Sequence, residues 1–200
     1  QREQFPMAHA QELARHGMMG VVANPQFGGS GFGTVEYALA LHEVAQVCAS
    51  TAVTMAVTNM TGEMIQKFGT PEQQERFLPR LNRGDKPVGS FCLSEPGSGS
   101  DAAALSATAR LDGDNYVLNG SKAWVTSGAH CSVALVMART SEHKSRGISA
   151  FLLEGDNPGY QPSRSEDKMG LRGSSTAGIT LDDCVVPKSS LLGQEGDGFK

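Results

Sequence analysis

Residues 91–120 read FCLSEPGSGSDAAALSATARLDGDNYVLNG. A short apolar run, Phe91-Cys92-Leu93, stops at Ser94-Glu95-Pro96 and gives way to alternating glycine and hydroxyl residues that close on Asp101. Inside it, Gly97-Ser98-Gly99-Ser100-Asp101-Ala102 fits the dinucleotide pattern G-x-G-x-x-A. That pattern holds a cofactor only where a helix opens on its last glycine and an acid ends the next parallel strand, about 20 residues on. Here Asp112-Gly113-Asp114-Asn115 forms a hairpin signal between two β-type runs, too soon for a helix and a second parallel strand. The following strand ends in Asn119-Gly120, without a carboxylate. The Rossmann reading falls. The stretch GGSGFG at 28–33 also fails the spacing, and no G-x-x-x-x-G-K occurs.

Towards the N-terminus the pattern is helical. A weak helix is expected over about 2–16, followed by the loop NPQFGGSGFG (24–33) with its Gly and Pro. Residues 34–50 are apolar nearly all round, with a thin polar stripe at Glu36, Glu43, Gln46 and Ser50, which predicts a helix buried on most of its circumference. A further helix over about 53–68 carries Met55, Met60 and Met64 and ends at Gly69, placed as a C′ residue. Thr70-Pro71-Glu72-Gln73 then supplies an N-cap, Pro at the first helical position and Gln for a capping box. That helix presents Phe77, Leu78 and Leu81 on one face and dissolves at Asn82-Arg83-Gly84.

After Asp85-Lys86-Pro87 the period changes. β-type runs appear at Val88–Leu93, Ala107–Leu111, Tyr116–Leu118, Trp124–Thr126, Val133–Ala138, Ile148–Leu153 and Gly178–Leu181. Their spacing suits a compact antiparallel sandwich or barrel. The fold class is therefore α+β: an all-α N-terminal block, then an antiparallel β-block. The division is drawn as 1–87 helical, 88–193 β, and 194–200 the start of a linker.

Composition narrows the function classes. The 200 residues are 39% hydrophobic and 19% charged, ordinary for a globular chain. No apolar run approaches the roughly 20 residues of a membrane span. A net charge of −4 without a Lys/Arg block argues against nucleic acid. The cysteines at 48, 92, 131 and 184 are scattered, with no C-x-x-C and no metal-ligand spacing, and read as reduced, mostly buried small hydrophobes. Cys131 beside His130 is not taken as a nucleophile, because neighbours in a strand point apart. With no Met at its start and an ending at Gly-Phe-Lys, the chain reads as a piece of something longer.

Two stretches carry chemistry. Gly97 and Gly99 let backbone N–H groups approach an anion, while Ser94, Ser98 and Ser100 add hydroxyls. The plain alternative is a well-capped turn. In NGSKAWVTSGA (119–129) the only Trp, Trp124, stands two residues from Thr126, so a flat ring and a hydroxyl share one strand face. The plain alternative is a core Trp beside a solvated Thr.

Ser94-Glu95-Pro96-Gly97-Ser98-Gly99-Ser100-Asp101 followed by Asn119-Gly120-Ser121-Lys122-Ala123-Trp124-Val125-Thr126-Ser127-Gly128 resembles the two flavin motifs of acyl-CoA dehydrogenases. Pro25-Gln26-Phe27-Gly28-Gly29-Ser30-Gly31, Phe68-Gly69-Thr70-Pro71-Glu72-Gln73-Gln74, Lys168-Met169-Gly170-Leu171-Arg172-Gly173-Ser174 and Val186-Pro187 fit in the same order. The resemblance covers essentially the whole chain. Its departures are Ser94 where Thr is common and Val125 where Ile is frequent, and neither removes a hydroxyl or the Trp.

The resemblance implies FAD as cofactor. Phe91, Leu93, Ser94, Val125 and Thr126 would meet the isoalloxazine, with Thr126 at its N5 region and Trp124 over one face. Gly99 and Ser100 would reach the pyrophosphate, Ser100 also serving the pantetheine arm of an acyl-CoA substrate. It further implies α,β-dehydrogenation to a trans-2-enoyl-CoA, with electrons leaving to electron-transferring flavoprotein. A homodimer or homotetramer is implied for the full-length protein, as is a missing C-terminal helical bundle carrying the glutamate base. The compartment implied is the mitochondrial matrix or a bacterial cytoplasm, not the secretory route. No catalytic residue and no metal ligand is assigned in this chain; Glu43, Glu63 and Glu95 are set aside. The alternatives are a flavin monooxygenase or oxidase on the same scaffold, and a non-redox CoA- or nucleotide-binding module.

Overall fold

The computed structural model describes residues 4–199. Helices α1 (Met7–Arg15), α2 (Thr34–Val47), α3 (Ala49–Phe68) and α4 (Pro71–Arg83) come first. The strands follow: β1 (Gly89–Cys92), β2 (Thr108–Asp112), β3 (Asn115–Thr126), β4 (Val133–Arg139), β5 (Ile148–Glu154), β6 (Tyr160–Pro162), β7 (Thr176–Pro187) and β8 (Leu191–Leu192). They make one 8-stranded sheet in the order β6-β7-β3-β2-β4-β5-β8, with β1 beside β4. The helical block followed by a mostly antiparallel sheet is the α+β arrangement expected from the sequence.

Local chemistry accounts for the helix ends. Thr70 and Gln73 close the capping box at α4: the Gln73 amide N–H donates to the Thr70 hydroxyl at 3.3 Å, and Thr70 N–H donates to Gln73 Oε1 at 3.0 Å. Gly69 does end α3, but in an extended conformation rather than a left-handed one (φ −77°). Glycine is needed there for a close approach, since a Cβ would stand 2.5 Å from the Ile65 carbonyl oxygen. Helix α3 begins at Ala49, earlier than expected, because the extended Cys48 alone separates it from α2.

Helix α3 is the centrepiece of the helical block. Its buried Asn59 accepts from Val21 N–H at 2.8 Å and donates to the Met18 and Met55 carbonyls, which fastens the turn after α1. Its buried Thr58 accepts from Gly89 N–H at 3.0 Å, fastening the start of β1. Of the three methionines, Met55 is fully buried, Met64 is half-buried and Met60 is exposed.

Strands β4 and β5 are buried on both faces, and their residues sort by alternation, as the pleat requires. Ala134, Val136, Ala138, Phe151 and Leu153 enter a core with Tyr160, Ile179 and Leu181 of the sheet and Ala14, Met19 and Met55 of the helical block. Leu135, Met137, Ile148, Ala150 and Leu152 enter a second core against Ile65 of α3 and Phe77, Leu78 and Leu81 of α4.

Three features differ from expectation. Helix α2 is not buried on most of its circumference: Tyr37, Ala40, Leu41 and Val44 pack on the core, while Val35, Leu39 and Val47 are 69%, 62% and 90% exposed. Its apolar residues exceed one face, and the described residues cover only one. Second, Tyr116–Leu118 and Trp124–Thr126 are two ends of the single strand β3, bent by register shifts that interrupt the pattern between them. Third, β1 and β2 both run parallel to β4, because the chain leaves the sheet after β1 and rejoins the same side of β4 in the same direction.

Candidate functional site

Cys92 stands opposite Val136 of β4, and Thr108 stands opposite Arg139 of the same strand. β1 and β2 therefore lie end to end along β4, and residues 93–107 are an excursion from that line. The excursion contains the glycine- and serine-rich stretch from Ser94 to Asp101. Glu95 and Ser98 exchange backbone hydrogen bonds of 2.8 and 3.1 Å, making the tight turn. The Ser98 hydroxyl is used inside it, donating to the Asp101 carbonyl at 2.8 Å.

Charged groups hold the excursion closed. The Glu95 carboxylate accepts from the amides of Ser106 and Ala107 and from the Ser106 hydroxyl, at 2.6, 3.0 and 2.8 Å. The Arg139 guanidinium donates to the carbonyls of Ala103 and Leu105 at 2.8 and 3.2 Å. One anion thus satisfies orphan N–H groups and one cation satisfies orphan C=O groups at the return of the chain.

The facing segment is the end of β3. Lys122 pairs with Ile179 of β7 and Val125 with Ala177, so three steps on β3 oppose two on β7. This is a β-bulge, a device that re-aims a side chain. Trp124 sits in it at φ 57° and is 67% exposed. A left-handed conformation costs a non-glycine residue about 1–2 kcal/mol, and a bulky aromatic adopts it only where its surroundings enforce it. The strain turns the indole to the surface, which removes the core-Trp reading. Val125 turns the other way into the sheet core, 1% exposed, and Thr126 is half-buried.

The two segments meet directly. Ala123 N–H donates to the Ser94 carbonyl at 2.8 Å, and Lys122 Nζ reaches both Leu93 O and Glu95 Oε1 at 3.2 and 2.7 Å. Ser94, Trp124 and Thr126 belong to segments so joined, whereas the Val125 side chain lies beneath them in the core. Gly99 and Ser100 are exposed on the excursion, and a Cβ at Gly97 or Gly99 would meet open space. Among the described residues, the hydroxyls of Ser94, Ser100 and Thr126 have no hydrogen-bond partner. Phe91 and Leu93 are half-buried against the second core, and Phe91 lines a cavity of about 340 Å³ with Met64, Phe68, Leu135 and Met137.

The titratable groups nearby are structural. Burial acts to raise the Glu95 pKa, but the Lys122 ammonium and the Ser106 and Ala107 amides together hold it below the usual carboxylate range. With those bonds made, Glu95 has no capacity left for base chemistry. Burial pushes the Cys92 thiol up to about 12 and raises Cys131, and both lie against the Tyr160 hydroxyl, which donates to the Gly128 carbonyl. His130 stacks on Phe5, ring centroids 4.2 Å apart, and burial lowers its pKa. Cys131 and His130 are thus committed to packing. Glu43 lies on the exposed part of α2 and Glu63 is exposed on α3. Among the described residues no cluster of His, Cys, Asp or Glu is arranged to hold a metal ion, and no helix is long and apolar enough to cross a membrane.

The sequence missed Lys122, whose side chain is wholly buried; only its place two residues before the Trp marks it. Arg139 was also missed, since an Arg ending a strand ordinarily means a solvated edge. An exposed flat ring can stack on a planar heterocycle, free hydroxyls can bond its polar rim, and an open glycine loop can admit an anion; these are the chemical capacities of the arrangement.

Comparisons with known proteins identify the family. Two family models match in succession: the acyl-CoA dehydrogenase N-terminal domain over residues 1–85 and its middle domain over 90–184. The human mitochondrial short-chain specific acyl-CoA dehydrogenase is 44% identical over 198 residues, covering 98% of this chain and 48% of that protein. The chain thus spans about half the length of the curated relatives it matches. A chain in the structure described as the electron transferring flavoprotein of Acidaminococcus fermentans superimposes with a TM-score of 0.95 at 38% identity, covering 98% of this chain and 52% of that one. The acyl-CoA dehydrogenase of Bacillus anthracis complexed with FAD gives a TM-score of 0.88 at 37% identity, covering 96% and 32%. By its two consecutive domain matches and its fold, the chain belongs to the acyl-CoA dehydrogenase family.

Proposed function

We propose that this chain is the part of a flavoenzyme that holds FAD and begins the acyl-CoA site, and that the whole protein dehydrogenates a short-chain acyl-CoA to its trans-2-enoyl thioester. The observation that carries the reading is Trp124, held strained and exposed on a bulge that is bonded to the loop carrying the Ser94 and Ser100 hydroxyls. FAD, when bound, supplies the acceptor for the hydride leaving the substrate's β-carbon.

The residues of this chain do the holding. Trp124 offers a flat apolar wall that excludes water from one face of the ring. Thr126 offers a hydroxyl donor for charge arriving at the heterocycle, and Ser94 offers a second for its polar rim. Gly99 and Ser100 present backbone and hydroxyl groups to the diphosphate, with Ser100 also reaching the pantetheine arm. Phe91 and Leu93 pack beside the ring from β1, and Val125 supports the bulge from below. The base that takes the α-proton is assigned to no residue here. The reading extends to electron-transferring flavoprotein as acceptor and to a homo-oligomeric whole protein, and, in line with the relatives' names, to a mitochondrial or bacterial compartment.

The test uses the full-length protein. It should purify with FAD, and a short-chain acyl-CoA should bleach the flavin band without oxygen. Thr126→Val deletes the donor and keeps the shape; loss of one preorganised donor costs on the order of 10²–10³ in rate, with substrate binding nearly intact. A colourless protein, or an unaltered reduction rate in the variant, refutes the respective assignment. Rapid reoxidation of the reduced flavin by oxygen would favour the oxidase reading instead.

A further inference from the structure

We propose that Glu95 and Lys122 are positioning residues that set the spacing between the hydroxyl loop and the Trp124 bulge; this rests on the flavin reading above. The side chains are 3% and 0% exposed and 2.7 Å apart, lying directly under the junction of the two segments. Each atom of the pair has a further task. Lys122 Nζ also donates to Leu93 O, next to Ser94, and its own backbone lies at the start of the bulge. Glu95 Oε1 accepts from Lys122 Nζ and Ala107 N–H, while Oε2 accepts from the Ser106 amide and hydroxyl. A single carboxylate therefore joins the outgoing loop, the returning chain and the bulge.

Stability alone does not account for such a pair. Desolvating two charges costs about as much as their attraction returns, so a well-packed apolar replacement is often neutral or better. Closing the excursion does not need the Lys122 partner, because Glu95 holds the returning amides and Arg139 holds Ala103 and Leu105 from the far side. What Arg139 does not touch is β3. Among the described residues, the side-chain hydrogen bonds between the bulge and the loop all come from Lys122, to Glu95 Oε1 and to Leu93 O, beside the backbone bond from Ala123 to Ser94. A pair that joins two ligand-holding segments acts as the supporting shell of a site, and loosening such a shell costs about 10- to 100-fold in affinity by analogy with metal sites.

The experiment uses the full-length protein, stripped of flavin and titrated with FAD by fluorescence, with the visible spectrum recorded at saturation. Glu95→Gln with Lys122→Met removes both charges and keeps the volume. The Gln amide nitrogen then faces an N–H that the carboxylate accepted, so the flavin-free form is expected to melt below wild type, while FAD binds about tenfold or more weaker and its visible band shifts. If that variant does not fold, Glu95→Asp decides: it keeps the charge but shortens the reach, and should likewise weaken FAD and shift the band. An unchanged affinity and band, or a lowered melting point with a normal band, overturns the positioning role. A wild-type protein that takes up no FAD overturns the flavin reading itself, and this proposal with it.

Discussion

Gln73 Nε2 donates to the Leu191 carbonyl oxygen at 2.9 Å, joining residues 118 positions apart. The same amide nitrogen reaches Ser189 O at 2.7 Å, and its oxygen accepts from Thr70 N–H. One side chain thus caps α4 and fastens β8, where the chain leaves the sheet. Gln73→Ala removes the capping-box partner and strips two carbonyls of their donor. The expected loss is about 2 kcal/mol, combining a lost cap with unpaired polar groups. Gln73→Glu restores only the acceptor and should remain below wild type. Urea denaturation measures both, and an Ala variant as stable as wild type would refute the dual role.

Adjacent residues on the bulge should answer oppositely to truncation. Trp124→Gly releases a left-handed strain of about 1–2 kcal/mol, offset by glycine's extra freedom in the unfolded chain, roughly 0.5–1 kcal/mol. Stability should stay nearly level while flavin retention by the full-length protein falls. Val125→Ala removes methyl groups from the core and should cost about 2 kcal/mol. Thermal unfolding and flavin content together separate the two. A Trp124→Gly variant that loses stability and keeps its flavin would make Trp124 a packing residue.

How far the sequence reveals this site depends on what kind of order each part has. Helix α4 was legible to the residue, because Thr70, Pro71 and Gln73 form a local code that tertiary contacts do not override. The β2–β3 hairpin was equally legible from Gly113, which sits at φ 58°. The parallel pairing of β1 and β2 with β4 was not, since it depends on where an excursion returns and no local pattern records that. The bulge at Trp124 was hidden for a related reason: its strain comes from β7, some fifty residues later in the chain. Lys122 was invisible as a core residue because its type alone argues for solvent, and only a buried carboxylate partner reverses that.

Acid should weaken the contact between α4 and β5. Glu154 of β5 is bonded by Arg80 and Arg76, and the Arg80 bond foremost holds its carboxyl below the usual carboxylate range. A folded pKa below the unfolded value means stability that is present above the unfolded pKa, about 4.3, and is lost as pH falls through the folded value. Arg80→Met should therefore lie below wild type near pH 7, and the gap should close progressively below about pH 4. The group is part-exposed, so added salt should narrow the gap as well. Urea midpoints across pH 3–7 give the comparison, and a gap that widens in acid would contradict the assignment.

Residues 1–200 expressed alone should self-associate. Val35, Leu39 and Val47 stand exposed on α2, and Phe32 just before it is 55% exposed. Scattered apolar residues on a surface are ordinary, but Val35 and Leu39 stand together on the side of the helix away from its packed residues, and exposed apolar groups so paired seek a partner. Val35 and Leu39 are four positions apart and so lie on the same side of the helix. Replacing both with glutamate leaves the Tyr37, Ala40, Leu41 and Val44 packing intact, because those side chains face the core. Sedimentation of the 200-residue chain should show association that rises with concentration, and the double variant should shift it towards monomer. In the full-length protein the same substitutions should instead lower the melting temperature, since there the remaining half of the chain would cover the patch. A monomeric 200-residue chain, together with a full-length double variant that melts like wild type, would show that this face needs no cover.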